Sequence, residues 1–195
     1  MAAPPLVLAS TSRYRIELMD RLGVPYQAIA HSIDERAAEP HGADPLTIAT
    51  TLARLKADSL AAAHPGAHIL GSDQLVDLDG HTLGKPGSAE AARAQLRKLS
   101  GRTHRLLTAL CLRHPDGRHD QAIDVHVMHL RPLDDGEIER YVARDQPLDC
   151  AGSYRIEAGG IALVHRIEGS DFTAIIGLPL IAVSNLLRAA GFQVP

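Results

Sequence analysis

Two hydroxyls and two guanidiniums gather where a short apolar run meets a helix-forming segment: Ser10, Ser12, Arg13 and Arg15 follow Leu6, Val7, Leu8 and Ala9. A helix start presents unpaired N–H groups and a partial positive charge, and serine hydroxyls with a forked arginine add donors matched to phosphate oxygens. The same residues also read as ordinary structure, since Ser12 is a fitting N-cap ahead of Ile16, Met19 and Leu22, with Gly23 as the stop. Further along, Asp34 and Glu35 follow Ile33 in a loop, Asp73 ends a strand, and Lys56 and Lys85 stand nearest to turn or cleft positions. Two separated carboxylates, two lysines and this helix start form the usual inventory for metal-assisted phosphoryl chemistry. Acids hold a divalent ion or activate water, and cations neutralise a polyphosphate. Any one of these residues alone is equally at home on a solvated surface.

Other chemistries find less support. The chain has neither a GxxxxGK[ST] phosphate loop nor a GxGxxG fingerprint. His126 and His129 stand three apart in a predicted strand, which sends them to opposite faces rather than to one metal. The 20 Lys and Arg nearly balance the 23 Asp and Glu, so no basic field calls for nucleic acid, and any polyanion must be small and met locally. Cys111 and Cys150 read as small core residues in a reducing compartment. The N-terminus has no charged leader, and the apolar stretch from Ala174 to Val183 is short and broken by Gly177 and Pro179. The expectation is a cytoplasmic protein with no membrane partner. A length of 195 residues fits a single domain over 1–195.

The positioning elements follow from periodicity. Asp44 and Pro45 start a helix whose stripe is Leu46, Ala49, Ala53, Leu60 and Ala63, with Lys56 in its middle, either snorkelling at the core edge or aimed at an anion. His68 to Asp73 forms a short strand beside a second sheet. Leu75 to Leu78 runs into an Asp79-Gly80 turn, and His81 to Lys85 returns, a register that pairs Lys85 with Gln74 on the face opposite Asp73. Ser88 starts a helix that Gly101 stops, and strands 105–113 and 122–130 join at a turn around Pro115 and Gly117. A helix from Asp134 to Val142 precedes the glycine-rich run Cys150 to Gly160, and a last helix shows Leu180, Val183, Ser184, Leu187 and Ala190 inward. This order predicts an α/β fold with a mixed sheet rather than a strictly doubly wound one.

These residues, in this order, resemble the Maf family of nucleoside triphosphate pyrophosphatases. The resemblance runs through Leu8 to Ser12 with Arg15, Asp34 and Glu35, Lys56 and Ala57, Gly71 to Gln74, Gly84 to Pro86, Leu99 to Gly101, Cys150 to Ser153 and Gly177 to Leu180. It implies a Maf/ITPase-like mixed twisted sheet flanked by helices, with an active-site cleft between two lobes. It also implies hydrolysis of a nucleoside triphosphate between its α and β phosphates, with a divalent cation (Mg, Mn or Co). By resemblance Asp73 matches the proton acceptor, either taking a proton from water directly or binding the metal that acidifies it, and Ser10, Ser12, Arg15, Glu35, Lys56 and Lys85 are the other polar site positions, with Glu35 positioning metal or water, so that Glu35 and Asp73 are the candidate metal ligands. The family usually has proline where this chain has Arg13, which adds a possible phosphate contact. The family also admits a homodimer.

Tyr14, Gln74 and Glu157 occupy three positions that distinguish subgroups, and they resemble the subgroup acting on 7-methyl-GTP rather than on dTTP and UTP. A methylated N7 leaves guanine positively charged, which suits the Tyr14 ring and the Glu157 carboxylate, with Gln74 as a further polar contact. Such an enzyme would remove modified nucleotides from the pool. The rivals are a pyrophosphatase for dTTP, UTP or other noncanonical triphosphates and a nucleotide-binding regulator of cell division.

Overall fold

The computed structural model describes residues 5–195, so Met1 to Pro4, read above as lacking a leader, lie outside the described residues. Seven strands form one mixed sheet: β1 (Leu6–Leu8), β2 (Gln27–Ala28), β3 (His68–Leu78), β4 (His81–Leu83), β5 (Thr103–Arg113), β6 (His119–Leu130) and β7 (Val164–Glu168). Their order is β2-β1-β3-β5-β6-β7, with β4 on β3. β1 runs parallel to β2 and β3, whereas the β3–β4 and β6–β7 pairs are antiparallel. The separate strand expected to end at Asp73 beside a second sheet is instead part of one 11-residue strand. Burial of nearly every side chain from His68 to Leu78 holds it together, and the small residues Gly71 and Ser72 do not interrupt pairing.

The chain divides into two compact units. The first takes the described residues through Asp73, then Thr108–Asp124 and Asp171–Pro195. Leu6, Leu8 and Leu70 on the strands pack with Leu18 and Met19 of α1 (Arg13–Asp20), Leu110 and Leu112 of β5, and Val183 and Leu187 of α7 (Leu180–Ala189). Helix α3 (Pro45–Asp58) starts as its sequence dictates. Asp44 Oδ1 accepts from Leu46 N at 2.9 Å and Thr47 N at 3.1 Å, and Pro45 occupies the first turn, where its missing N–H costs nothing. The helix ends before Leu60 and Ala63, which the periodic stripe would have included. Ser59 stops it by donating its Oγ to the Lys56 carbonyl at 2.8 Å.

One glycine sets how closely α3 approaches β3. A Cβ on Gly71 would run into the Ala53 carbonyl oxygen and stand 2.9 Å from the Ala57 amide nitrogen. The helix therefore lies directly on the strand at this point, and that close approach brings Lys56 of α3 level with Asp73 of β3.

The second unit comprises Gln74–Leu107 and Val125–Ser170. Its β3–β4 hairpin pairs Val76 with Leu83, Asp77 with Thr82 and Leu78 with His81, the register expected for an Asp79-Gly80 turn. Both turn residues have positive φ, 54° and 83°, as a two-residue turn of this hand requires. Strand β4 ends at Leu83, so Lys85 lies beyond the ladder in an exposed connection. Helix α4 (Ala89–Leu99) is capped by Ser88, and α5 (Asp135–Asp145) carries a reciprocal capping box between Asp134 and Glu137. Strands β2 and β7 and helix α6 (Phe172–Ile176) went unread in the sequence, being at most five residues long.

The glycine-rich run folds into two short 3-10 turns, Ala151–Ser153 and Gly159–Leu163. Between them Tyr154 enters the core and its hydroxyl meets His104 Nε2 at 3.0 Å, while His104 Nδ1 is buried without a partner. Burial, aided by the charge of His129, pushes the His104 pKa down to about 4.

Two outcomes follow for stability. Gly71→Ala forces the α3 backbone off β3 and should cost about 1–3 kcal/mol in urea unfolding, as overpacking does. His104 folds as a neutral ring, whereas the unfolded chain takes up its proton near the ordinary value of about 6.5. Its contribution is therefore complete above that pH and lost as pH falls from about 6.5 toward 4, to a total of about 3 kcal/mol. His104→Gln takes up no proton, so unfolding curves at pH 7 and pH 4 should differ less for that variant, by about 3 kcal/mol.

Candidate functional site

Strand β1 delivers the first residues of the site. Ala9 N still donates to Leu70 O on β3 at 2.9 Å, after which the chain turns: Ser10 N donates to Leu8 O at 2.8 Å and Ser12 N to the Ser10 hydroxyl at 3.2 Å. Ser10 is thereby buried at the mouth of α1. Ser12 occupies the N-cap position, but its side chain makes no capping hydrogen bond, so capping does not account for the hydroxyl.

Arg15 points back from the first turn of α1. Its Nε donates to the Gly177 carbonyl at 3.0 Å, and the Ser72 hydroxyl donates to the same oxygen at 3.4 Å. Gly177 has φ +132°, a conformation that a side chain would resist. The loop around it is held by Asp171, which caps α6 through the Thr173 amide at 3.0 Å and accepts from Ile181 N, at the start of α7, at 2.8 Å. Burial lowers the Arg15 guanidinium from its ordinary value, and Asp73 and Glu35 act against that shift. The group remains a cation. Arg13, expected as an extra phosphate contact, here lies over the Tyr14 ring, 4.6 Å from its centroid, and donates to the Tyr14 hydroxyl at 2.6 Å.

Lys56 joins the acids. Only 2% exposed, it places Nζ 2.6 Å from Asp73 Oδ1 and 2.9 Å from Glu35 Oε1. Of the two readings open in the sequence, snorkelling at the core edge is set aside, because the ammonium ends between two carboxylates. Glu35 opens the short helix α2 (Glu35–Ala38) rather than sitting in a loop, since Asp34 accepts from Arg36 N at 3.1 Å and Ala37 N at 3.2 Å.

A neighbour unremarked in the sequence is His31, whose Nε2 lies 3.2 Å from Glu35 Oε1. Burial and the charges of Lys56 and Arg15 lower its pKa, with Glu35 opposing. Its spacing of four from Glu35 could have flagged it, but that spacing carries meaning only within a helix, and His31 precedes α2.

The first unit thus brings Arg15, Glu35, Lys56 and Asp73 into one electrostatic group. Gln74, Lys85 and Glu157 belong to the second unit. There Glu157 Oε1 stands 3.4 Å from Arg155 Nε, and Arg155 N donates to the Tyr141 hydroxyl at 2.8 Å. His129 of the same unit pairs with Glu168 at 2.8 Å. Neither cysteine is in a disulfide; Cys111 is buried as expected, but Cys150 is only half-buried. Among the described residues no helix is long and apolar enough to cross a membrane, and no group of three or more His, Cys, Asp or Glu is placed to hold a metal. Glu35 and Asp73, drawn to one ammonium, are nevertheless hard oxygen donors of the kind that bind Mg or Mn when water and phosphate oxygens complete the shell, so the donor set fits such an ion together with a polyphosphate.

A family model described as Maf-like protein matches residues 5–190. A protein of Xanthomonas campestris pv. campestris named 7-methyl-GTP pyrophosphatase is 50% identical over 192 residues, 98% of this chain and 99% of that one. A Thiobacillus denitrificans protein of the same name is 46% identical, covering 98% of this chain and 95% of its own. The structure of the Staphylococcus aureus Ham1 protein matches at a TM-score of 0.56 and 13% identity, covering 95% of this chain and 99% of that one, a likeness of fold.

The Lys56 bridge can be tested on stability alone. Lys56→Met leaves Asp73 buried without its cation and should cost about 3–5 kcal/mol at pH 7 in urea unfolding. Adding Asp73→Asn removes the stranded charge, so the double variant should be more stable than the sum of the single losses implies.

Proposed function

The chain belongs to the Maf-like family, and from that premise we propose that it hydrolyses 7-methyl-GTP to 7-methyl-GMP and diphosphate, cutting between the α and β phosphates. The observation that carries this reading is the 50% identity, over nearly the full length of both chains, to a protein named 7-methyl-GTP pyrophosphatase. The local chemistry agrees with it. Ser10, Ser12 and the first amides of α1 supply donors for phosphate oxygens, and the Arg15 and Lys56 cations offset polyphosphate charge.

Asp73 is assigned the proton of the attacking water. Lys56 engages its Oδ1, which leaves Oδ2 for that role and fixes its direction, because a salt-bridged carboxylate cannot rotate without losing its partner. Glu35 is the residue assigned to a divalent cation, which when bound would neutralise phosphate charge and acidify water. Lys85 is assigned, on resemblance, to the polar site positions.

Tyr14, Gln74 and Glu157 are assigned to base selection on the same ground. The Tyr14 ring is suited to this, since its face already receives a cation in the form of the Arg13 guanidinium. The ring of N7-methylguanine, itself positively charged, has the same electrostatic demand. A carboxylate such as Glu157 suits the N1 and N2 donors of guanine and not the acceptor-rich edge of a pyrimidine such as uracil.

Diphosphate release from 7-methyl-GTP, GTP, dTTP and UTP, each with Mg, Mn or Co, tests the reading. We expect the highest kcat/KM for 7-methyl-GTP, and a preference for dTTP or UTP would overturn it. Asp73→Asn should lower kcat by about 10²-fold or more, the contribution expected of a general base; a protein that acts only by binding nucleotide would be insensitive to that change.

A further inference from the structure

Asp171 is a buried carboxylate that no cation accompanies. It is 5% exposed, and among the described residues it forms no ion pair. A carboxylate out of water is costly unless it is paired or well hydrogen-bonded, so its partners show what keeps it there. All of them are neutral. Oδ1 accepts from Thr173 N at 3.0 Å and from the Thr173 hydroxyl, and Oδ2 accepts from Ile181 N at 2.8 Å.

Capping explains only the first oxygen. Serine, threonine or asparagine would cap the five-residue helix α6 through one acceptor and bury no charge. The second oxygen reaches ten positions along the chain to the start of α7. Thr173 doubles that tie, since its hydroxyl oxygen accepts from Leu180 N at 2.9 Å. Asp171 and Thr173 are thus clasped to Leu180 and Ile181, and residues 174–179 are closed into a loop.

What that loop presents is the Gly177 carbonyl. Gly177 N donates to Thr173 O at 3.2 Å and to Ala174 O at 3.0 Å, and the φ of +132° turns the chain there. The carbonyl oxygen then takes Arg15 Nε at 3.0 Å and the buried Ser72 hydroxyl at 3.4 Å. With Nε committed to a fixed acceptor, the plane of the guanidinium is set. The edge formed by its two terminal nitrogens is the one that can meet two phosphate oxygens in parallel. An arginine hung from a loose carbonyl would lose that direction, because its long side chain has many rotamers to fix.

We propose that Asp171 is a positioning residue of the hydrolytic site: by clasping α6 to the start of α7 it fixes the Gly177 carbonyl, and through that oxygen it aims the Arg15 guanidinium at the phosphates. The proposal rests on the pyrophosphatase reading for its kinetic consequence, whereas the tether from Asp171 to Arg15 stands on hydrogen bonds alone.

The test has two arms. Asp171→Asn has one acceptor oxygen in place of two, so it cannot serve both Thr173 and Ile181. Assayed below the melting transition of every variant, it should lower kcat/KM for 7-methyl-GTP about tenfold. In an Arg15→Lys background, which keeps the charge without the fork, the same change should cost no more than about twofold, because the group that Asp171 aims is gone. A merely structural role predicts the same loss in both backgrounds, and that result overturns the proposal, as does a wild-type kcat/KM in the single variant. Thr173→Val, which breaks the tie to Leu180, takes its place in the same cycle if Asp171→Asn does not fold. The second arm needs no substrate. Nitrogen-15 NMR should find the Arg15 Nε–H exchanging slowly with water, and Asp171→Asn should speed that exchange about tenfold or more. Exchange that is indifferent to Asp171 overturns the proposal as well. If the wild-type chain cleaves no triphosphate, the functional reading fails and the NMR arm alone decides whether Asp171 holds Arg15.

Discussion

A single ammonium, buried and shared between two acids, is the constraint on which the rest of the site depends. Lys56 Nζ at 2.6 Å from Asp73 and 2.9 Å from Glu35 could not exist in that place without both, because a lone charge taken out of water is too costly. Nor could Asp73, itself 5% exposed, persist there as an anion without the lysine. Replacing all three by apolar groups could leave the fold as stable or more so. The triad is therefore poor support for a stabilising role and good support for a functional one.

The backbone is arranged around that requirement. Helix α3 has to approach β3 closely enough for a lysine to reach a carboxylate on the strand, and Gly71 permits this by having no side chain where the Ala53 carbonyl passes. Asp44 and Pro45 fix the helix start, and Ser59 closes the end one residue past Asp58. On the other side, the Gly177 carbonyl receives Arg15 and Ser72 together, and it is presented by a loop that Asp171 ties to both α6 and α7. The Arg15 guanidinium on α1 thus feels the charge of the same two carboxylates that the Lys56 ammonium on α3 contacts. Packing, capping and charge placement all serve one end.

What the sequence discloses follows from the range of each interaction. The Asp44 cap, the Ser88 cap and the Asp79-Gly80 turn are local and legible, because the residues that satisfy one another lie within four positions. Lys56 was readable only as a choice between two fates, since its partners are 17 and 21 positions away in opposite directions. Family resemblance, and not periodicity, tipped that choice. Strand β3 runs unbroken through Asp73, an acid acceptable in mid-strand because the Lys56 ammonium meets it there, a contact that no local pattern shows. His31 carries only the weak signal of a four-residue spacing from Glu35, because a histidine outside a helix acquires meaning only from what folds against it.

Arg13 shows the same principle from the other direction. Where the resemblance expects proline, this chain has a residue that gives up a preset first turn and in exchange covers the adjacent aromatic face. Its guanidinium donates to the Tyr14 hydroxyl while lying over the ring, so one side chain meets both the polar and the π character of its neighbour.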